Sequence, residues 1–122
     1  MAVTVRDDNG VALSRSIMPS GSILNAWHLI TCTWDAETGE AVIYLDGLST
    51  GRVKSGLASK FPPWQYPLLI GARQERGNVD WFYHGAMDDH RLYNYPLDGY
   101  EVAQLYTSLT GTTICVNTRL VI

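Results

Sequence analysis

The stretch WHLITCTWDAETGEAVIYLDG, residues 27–47, decides the fold. In its first half apolar side chains occur at every second position, at Ile30, Cys32 and Trp34, which is the period of a β-strand. A Thr-Gly pair then separates this strand from a second one. An Asp-Gly pair ends the second strand with the residue types that tight hairpin turns favour. The predicted strands are residues 26–35, 40–46 and 48–54.

The same alternation and the same turn residues predict further strands outward from this hairpin. Asp8-Asn9-Gly10 supplies a turn between two short strands near the N-terminus. The consecutive prolines Pro62 and Pro63 cannot donate to a sheet, so residues 55–66 are predicted to be a loop. Short strands at this spacing are typical of a β-sandwich or jelly roll. The remaining predicted strands are residues 2–6, 11–18, 67–72, 82–94 and 114–122.

A single helix is predicted after Pro96. Asp98 can accept hydrogen bonds from the first turn, and Glu101, three residues later, can reach back to the Asp98 backbone. Apolar side chains then repeat at helical spacing, at Val102, Leu105, Tyr106 and Leu109.

Length and charge narrow the functional classes. The chain has 122 residues, within the usual size of one domain, about 100 to 150 residues. We therefore predict one domain, residues 1–122. Its net charge is -3 and its basic residues are scattered singly, which excludes nucleic acid as the expected partner. Its apolar runs are far shorter than the roughly 20 residues of a membrane span. No signal peptide opens the sequence, so any export signal is expected outside it.

The two cysteines leave two interpretations open. Cys32 and Cys115 lie far apart and lack CxxC spacing, so neither a zinc site nor a redox pair is predicted. They either form one disulfide or pack separately as small buried thiols.

Four blocks, in order, resemble the laminin G-like, concanavalin A-like jelly-roll family, whose core the pentraxins share. The first block is the opening hairpin. It begins with Trp27-His28, its first strand ends with Trp34-Asp35, and its second strand ends with Tyr44-Leu45-Asp46-Gly47. The others are LLIG at 68–71, FYHGAMDDHRLY at 82–93 and YPLDGYEVAQLY at 95–106. The resemblance covers about residues 24–108. It implies an all-β, concanavalin A-like jelly-roll sandwich of antiparallel strands with one short C-terminal helix, in a secreted, extracellular protein.

The resemblance also assigns individual positions. It implies that Trp27, Trp34 and Tyr44 are core residues and that His28 is structural, packed or hydrogen-bonded at the hairpin. Family members have several strands before the Trp-His block, whereas this sequence has only residues 1–26 there. Because sheet edges are normally covered or paired, we expect the remaining strands to rearrange, or a second copy to complete the fold as a homodimer or strand-exchanged oligomer.

Catalytic groups are not indicated. Asp35, Glu37 and Glu40 flank a hairpin turn, so their carboxyl groups are expected to point into solvent without a fixed acid/base geometry. His84 and His90 lie near Asp88 and could share a metal-binding face, but a plain half-exposed strand is the favoured explanation. We therefore predict that the protein is not an enzyme.

Aromatic residues in loops point to carbohydrate. Flat rings bind the apolar faces of sugars, while amide and charged groups bind the hydroxyls. Trp64 and Trp81 are either exposed at such a surface or buried in the core. The predicted ligand-binding residues are Trp64, Gln65, Tyr66, Arg73, Gln74, Glu75, Asp80 and Trp81.

Calcium is a candidate cofactor through the resemblance, since ARQERGNVD, residues 72–80, aligns roughly with the calcium loop of pentraxins. The candidate ligands are Glu75, Asp80, Asp88 and Asp89. The alternative is that these acids cap turns and are solvated, because calcium requires six to eight oxygen ligands.

The sequence thus predicts a noncatalytic carbohydrate-binding module with a polysaccharide or glycan as its partner. The alternative prediction is a protein-interaction or adhesion module of laminin G type, in which calcium could take part.

Overall fold

The computed structural model describes residues 2–6, 12–16, 25–54, 69–75 and 77–111. The chain divides into a first compact unit, residues 1–61 with 93–122, and a second, residues 62–92. The elements are β1 (Ala2–Arg6), β2 (Ala12–Ser16), β3 (Ile30–Asp35), β4 (Glu40–Leu45), β5 (Leu48–Lys54), β6 (Arg73–Glu75), β7 (Asn78–Asp80) and α1 (Gly99–Thr110).

A three-stranded antiparallel sheet, in the order β3-β4-β5, is the centre of the first unit. Glu40 pairs with Asp35 across the first turn, where the Gly39 N–H donates to the Asp35 carbonyl oxygen at 2.8 Å. Asp46 and Gly47 make the second turn with φ of 51° and 81°. Left-handed conformations at both central positions are characteristic of two-residue hairpin turns. The strands β1 and β2 form a separate antiparallel hairpin.

A β-bulge adjusts the pairing of β4 with β5. Ile43 pairs with Gly51 and Tyr44 with Ser49, so Thr50 is the additional residue. The Thr50 hydroxyl donates to the Ile43 carbonyl oxygen at 3.2 Å. This bond fixes the bulge at the centre of the sheet.

The helix α1 packs on one face of this sheet. Val42 and Tyr44 extend from that face of β4 and form a buried cluster with Leu97 and Val102. Ile43, between them in sequence, faces the other way and is 1 % exposed. The strand β4 is therefore buried on both faces, as expected of the central strand of a sheet.

Both ends of α1 are satisfied by specific caps. The Asp98 side chain accepts from the Glu101 N–H, and the Glu101 side chain accepts from the Asp98 N–H, each at 2.8 Å. At the other end Gly111 adopts φ of 71° and its N–H donates to the Thr107 carbonyl oxygen. The capping box thus begins the helix where the sequence predicts it, and a left-handed glycine ends it.

Replacing Asp98 by alanine is expected to lower the free energy of unfolding by about 0.5 to 2 kcal/mol, because the first turn of α1 loses its acceptor. Urea unfolding followed by circular dichroism measures the loss. The control is Gln104→Ala, an exposed change on the same helix, which should leave stability nearly unchanged. Equal stability of the two variants would contradict a stabilising role for the capping box.

The prediction of an all-β, antiparallel fold with one short C-terminal helix is confirmed. The observed bounds of β1 and β5 agree with the predicted strands 2–6 and 48–54, and β2, β3 and β4 are shorter than predicted. The predicted strand 114–122 and the predicted loop 55–66 lie outside the described residues. Among the described residues, no helix is long and apolar enough to cross a membrane.

Two predicted strands differ in the structure. Of the predicted strand 67–72, residues 69–72 are described, and they form no strand but bends at 70–72. Residues 82–94 also form no strand, whereas β6 and β7 pair as a hairpin where no strand is predicted. Residues 81–96 are exposed throughout, so no buried face selects a strand register there. Left-handed conformations at Trp81 and Asp89 also interrupt an extended backbone.

The prediction that Trp27 is a core residue is wrong. Trp27 is 71 % exposed, whereas Tyr44 is buried and Trp34 is half-buried. The reason is that Trp27 precedes the sheet: β3 pairs only from Ile30 onward, and Asn25 turns the chain with a φ of 62°.

Candidate functional site

An aromatic segment, Trp81, Phe82 and Tyr83, dominates the exposed surface of the second unit. The three side chains are 75 %, 62 % and 57 % exposed. Large apolar side chains are normally buried, and adjacent exposed ones often mark binding surfaces. Of the two interpretations left open for Trp81, the structure supports exposure.

The backbone holds Trp81 in an unusual conformation. Trp81 follows β7 directly and has a φ of 55°, a left-handed region that bulky residues rarely occupy. Hydrogen bonds hold the backbone on both sides of Trp81. The β6–β7 ladder precedes it, and after it the Tyr83 N–H donates to the Gly71 carbonyl oxygen at 2.7 Å. Such strain is commonly retained at functional sites.

Two glycines make room for the segment. A Cβ on Gly85 would lie 2.7 Å from the ring atoms of Tyr83, and a Cβ on Gly71 would lie 2.5 Å from Cε of Met87. Gly71 also has a φ of 79°. Side chains at these positions would displace the Tyr83 ring and the tip of Met87, so Gly85 leaves the space that the Tyr83 ring occupies.

The hairpin brings part of the predicted polar set together. Arg73 pairs with Asp80 in the β6–β7 register, and Glu75 pairs with Asn78. Gln74 lies between Arg73 and Glu75 in β6, and the hairpin leads into Trp81. The predicted residues Trp64, Gln65 and Tyr66 lie outside the described residues.

Other aromatic residues outside the predicted ligand-binding set are also substantially exposed, among them Phe82, Tyr83, Tyr93 and Tyr95. Tyr83, Tyr93 and Tyr95 are less exposed than Trp81, but each keeps about half of its surface in solvent. Phe82 was not among the predicted ligand-binding residues. The available signal was the run of three consecutive aromatic residues, which no single face of a sheet could bury.

Two of the candidate metal ligands, Asp88 and Asp89, are engaged with protein groups. Asp89 binds Arg91 through two bonds, Nε to Oδ1 at 2.9 Å and Nη2 to Oδ2 at 2.8 Å. The hydrogen bonds from Arg91 lower the pKa of Asp89. Asp88 Oδ1 accepts from the Asp89 N–H at 2.7 Å. In the described part of the chain no three His, Cys, Asp or Glu side chains form a metal-binding group, and calcium binding stays a prediction.

Two carboxyl groups of the first hairpin bind protein groups, Asp35 in the turn and Glu40 across to β5. Asp35 Oδ1 accepts from the N–H groups of Glu37 and Thr38 at 2.8 and 3.3 Å. A hydrogen bond from the Thr38 side chain, followed by those from the backbone, lowers the pKa of Asp35. Glu40 accepts from Arg52 Nη1 at 3.1 Å. These contacts keep Asp35 ionised and cap the turn.

His28 has the structural position that the sequence predicts. Its Nδ1 lies 2.7 Å from Asp46 Oδ2, while Asp46 Oδ1 accepts from the Leu29 N–H at 3.0 Å. The Asp46 N–H donates to the Leu29 carbonyl oxygen at 2.8 Å. Asp46 therefore joins the start of β3 to the end of β4.

Comparisons with known proteins agree with this fold. The sequence model of a family described as the concanavalin A-like lectin/glucanases superfamily matches residues 2–103. A crystal structure of an S-layer domain-containing protein from Clostridium thermocellum is similar, with a TM-score of 0.53 and 18 % identity. The match covers 79 % of this chain and 45 % of that one, so this chain spans less than half of its length. No curated protein matches.

Proposed function

Since this chain belongs to the concanavalin A-like lectin/glucanases superfamily, we propose that it is a noncatalytic module that binds a polysaccharide. The observation that supports this function is the exposed aromatic segment in which Trp81 presents 75 % of its surface to solvent. Sugar rings stack on such side chains through their apolar C–H faces.

The position of Trp81 suits this role. The ring follows a short hairpin, and the strained backbone is held by the ladder before it and by the Tyr83–Gly71 bond after it. A prearranged ring loses little freedom when ligand binds. Because an open surface buries little area, the expected affinity is modest, about micromolar to millimolar.

Two carboxyl groups of the first hairpin, Asp35 and Glu40, support a noncatalytic role. Glycoside hydrolysis uses two carboxyl groups across the scissile bond, one of them a proton donor with a raised pKa. Asp35 has a lowered pKa and caps a turn, and Glu40 is paired with Arg52. The lowered pKa of Asp35 is the opposite of what a proton donor needs, and the contact of Glu40 with Arg52 suits an ion pair of the sheet.

A second candidate is an adhesion module of laminin G type that binds protein. Aliphatic side chains of the second unit, Ile70, Val79 and Met87, are also substantially exposed. Such side chains suit a protein partner better than a sugar. Either role fits an extracellular or cell-surface location, which we propose for this chain.

Replacing Trp81 by alanine is expected to weaken retention in gels containing soluble glucan, xylan or mannan. We expect a loss of about tenfold or more in affinity, equivalent to about 1.4 kcal/mol, because the stacking surface is removed. Affinity electrophoresis measures the retention, and repeating it with a chelator tests the contribution of calcium.

The control is Leu92→Ala, which removes a highly exposed aliphatic side chain from the same unit and should leave retention unchanged. Thermal unfolding checks that both variants are folded. Retention that survives both Trp81→Ala and Phe82→Ala would contradict stacking on this segment and favour the adhesion module.

A further inference from the structure

A second aromatic feature belongs to the first unit, whereas the aromatic segment belongs to the second. The rings of Tyr93 and Tyr95 have centroids 6.4 Å apart and an interplanar angle of 78°. Both rings are about half exposed, at 45 % and 53 %. Two exposed rings at nearly a right angle form a corner that offers one flat surface and one edge.

A fixed carboxylate borders this corner. Glu101 Oε2 accepts from the Asp98 N–H at 2.8 Å, so the capping box of α1 holds the side chain in place. The other oxygen, Oε1, lies 3.5 Å from the Tyr95 hydroxyl. That distance is longer than the usual O–H···O distance of about 2.7 to 2.8 Å, so both groups keep capacity for a further partner.

We propose that Tyr93, Tyr95 and Glu101 form a second saccharide-binding site, which takes one uncharged hexose unit of the polysaccharide. This inference rests on the proposed function. The apolar face of the sugar packs on one tyrosine ring and its rim contacts the other. One sugar hydroxyl accepts from the Tyr95 hydroxyl and donates to Glu101 Oε1, which replaces a long contact with two shorter hydrogen bonds.

Charge selects the class of sugar. The pKa of the Tyr95 hydroxyl is raised, mainly by the negative charge of Glu101 and more weakly by that of Asp98. The phenol therefore remains protonated, and able to donate, well into the alkaline range. The same negative field repels uronic acids and sulfated sugars. The site thus favours neutral glucans or mannans over acidic polysaccharides.

The fold already orders the Glu101 side chain that the sugar would contact. Glu101 is fixed by the bonds that begin α1, which form whether or not a ligand is present. Immobilising a long side chain on binding normally costs about 0.5 to 1.5 kcal/mol. This site avoids that cost, because the helix cap has already ordered the carboxylate.

The test is an NMR titration of the full chain with neutral glucan and mannan hexasaccharides, in wild type and in Trp81→Ala. In Trp81→Ala the ligands should still shift the ring signals of Tyr93 and Tyr95, and adding Tyr95→Ala should abolish the shift of the Tyr93 ring signals. Tyr95→Phe, which removes only the hydroxyl, should weaken this binding by about three- to tenfold.

The control variant is Tyr100→Ala, which removes an exposed tyrosine of α1 outside the corner and should leave binding unchanged. Circular dichroism verifies that α1 forms in each variant. If wild type binds hexasaccharide but the Tyr93 and Tyr95 signals do not move, the second site is wrong and the proposed function stands. If wild type binds none of these sugars, both proposals are wrong.

Discussion

Val102→Asp is expected to unfold much of the first unit, with a loss of at least about 3 kcal/mol in the free energy of unfolding. Val102 is 0 % exposed and lies among Val42, Tyr44 and Leu97. A carboxylate there would be desolvated among apolar groups, at an effective cost of several kcal/mol. A small domain has only about 5 to 15 kcal/mol of stability in total.

The measurement is urea unfolding followed by the helical signal in circular dichroism. Gln104→Asp is the matched control, since it adds the same charge to the same helix at an exposed position. It should change stability by about 0.5 kcal/mol or less. If the two variants unfolded at the same urea concentration, α1 could not be packed on β4 through Val102.

Ile43→Ala is expected to lower the free energy of unfolding by about 2 to 5 kcal/mol, the usual cost of emptying a buried aliphatic site. Ile43 lies at the middle of the central strand, is 1 % exposed, and pairs with Cys32 on one side and Gly51 on the other. Its side chain packs on the face of the sheet opposite α1, so this variant tests a different part of the core.

Chemical denaturation followed by tryptophan fluorescence measures this loss. The control is Leu48→Ala, which removes an aliphatic side chain from the same sheet where half of it is exposed, and should cost less than about 1 kcal/mol. Equal losses for the two variants would show that the second face of β4 is not buried.

Local features of the fold could be predicted from sequence because neighbouring residues determine them. The alternation through Ile30, Cys32 and Trp34 and the Asp46-Gly47 pair predict the hairpin, and Asp98 with Glu101 predicts the helix start. The strands β6 and β7 have three residues each, too few to show a period of two. Their pairing could not be predicted for that reason.

The candidate sites depend on exposure, which local pattern does not determine. The sequence allows Trp81 to be either a core or a surface residue, and only the packed structure shows that its side chain is exposed. Trp27 was assigned to the core through a family position, although the strand ladder begins three residues later. The corner of Tyr93 and Tyr95 needs a ring angle and a fixed Glu101, and only the capping box has a sequence signal.

The contacts of Asp46 also have a consequence for the chemical lifetime of the chain. In an Asp-Gly sequence the glycine nitrogen can attack the aspartate side chain and form a succinimide, which reopens largely as isoaspartate. Here both carboxylate oxygens are held, one by His28 and one by the Leu29 N–H, and Gly47 is buried. While the hairpin is folded, the ring closure that ages such sequences is hindered, so the turn that sets the register also protects its own covalent structure.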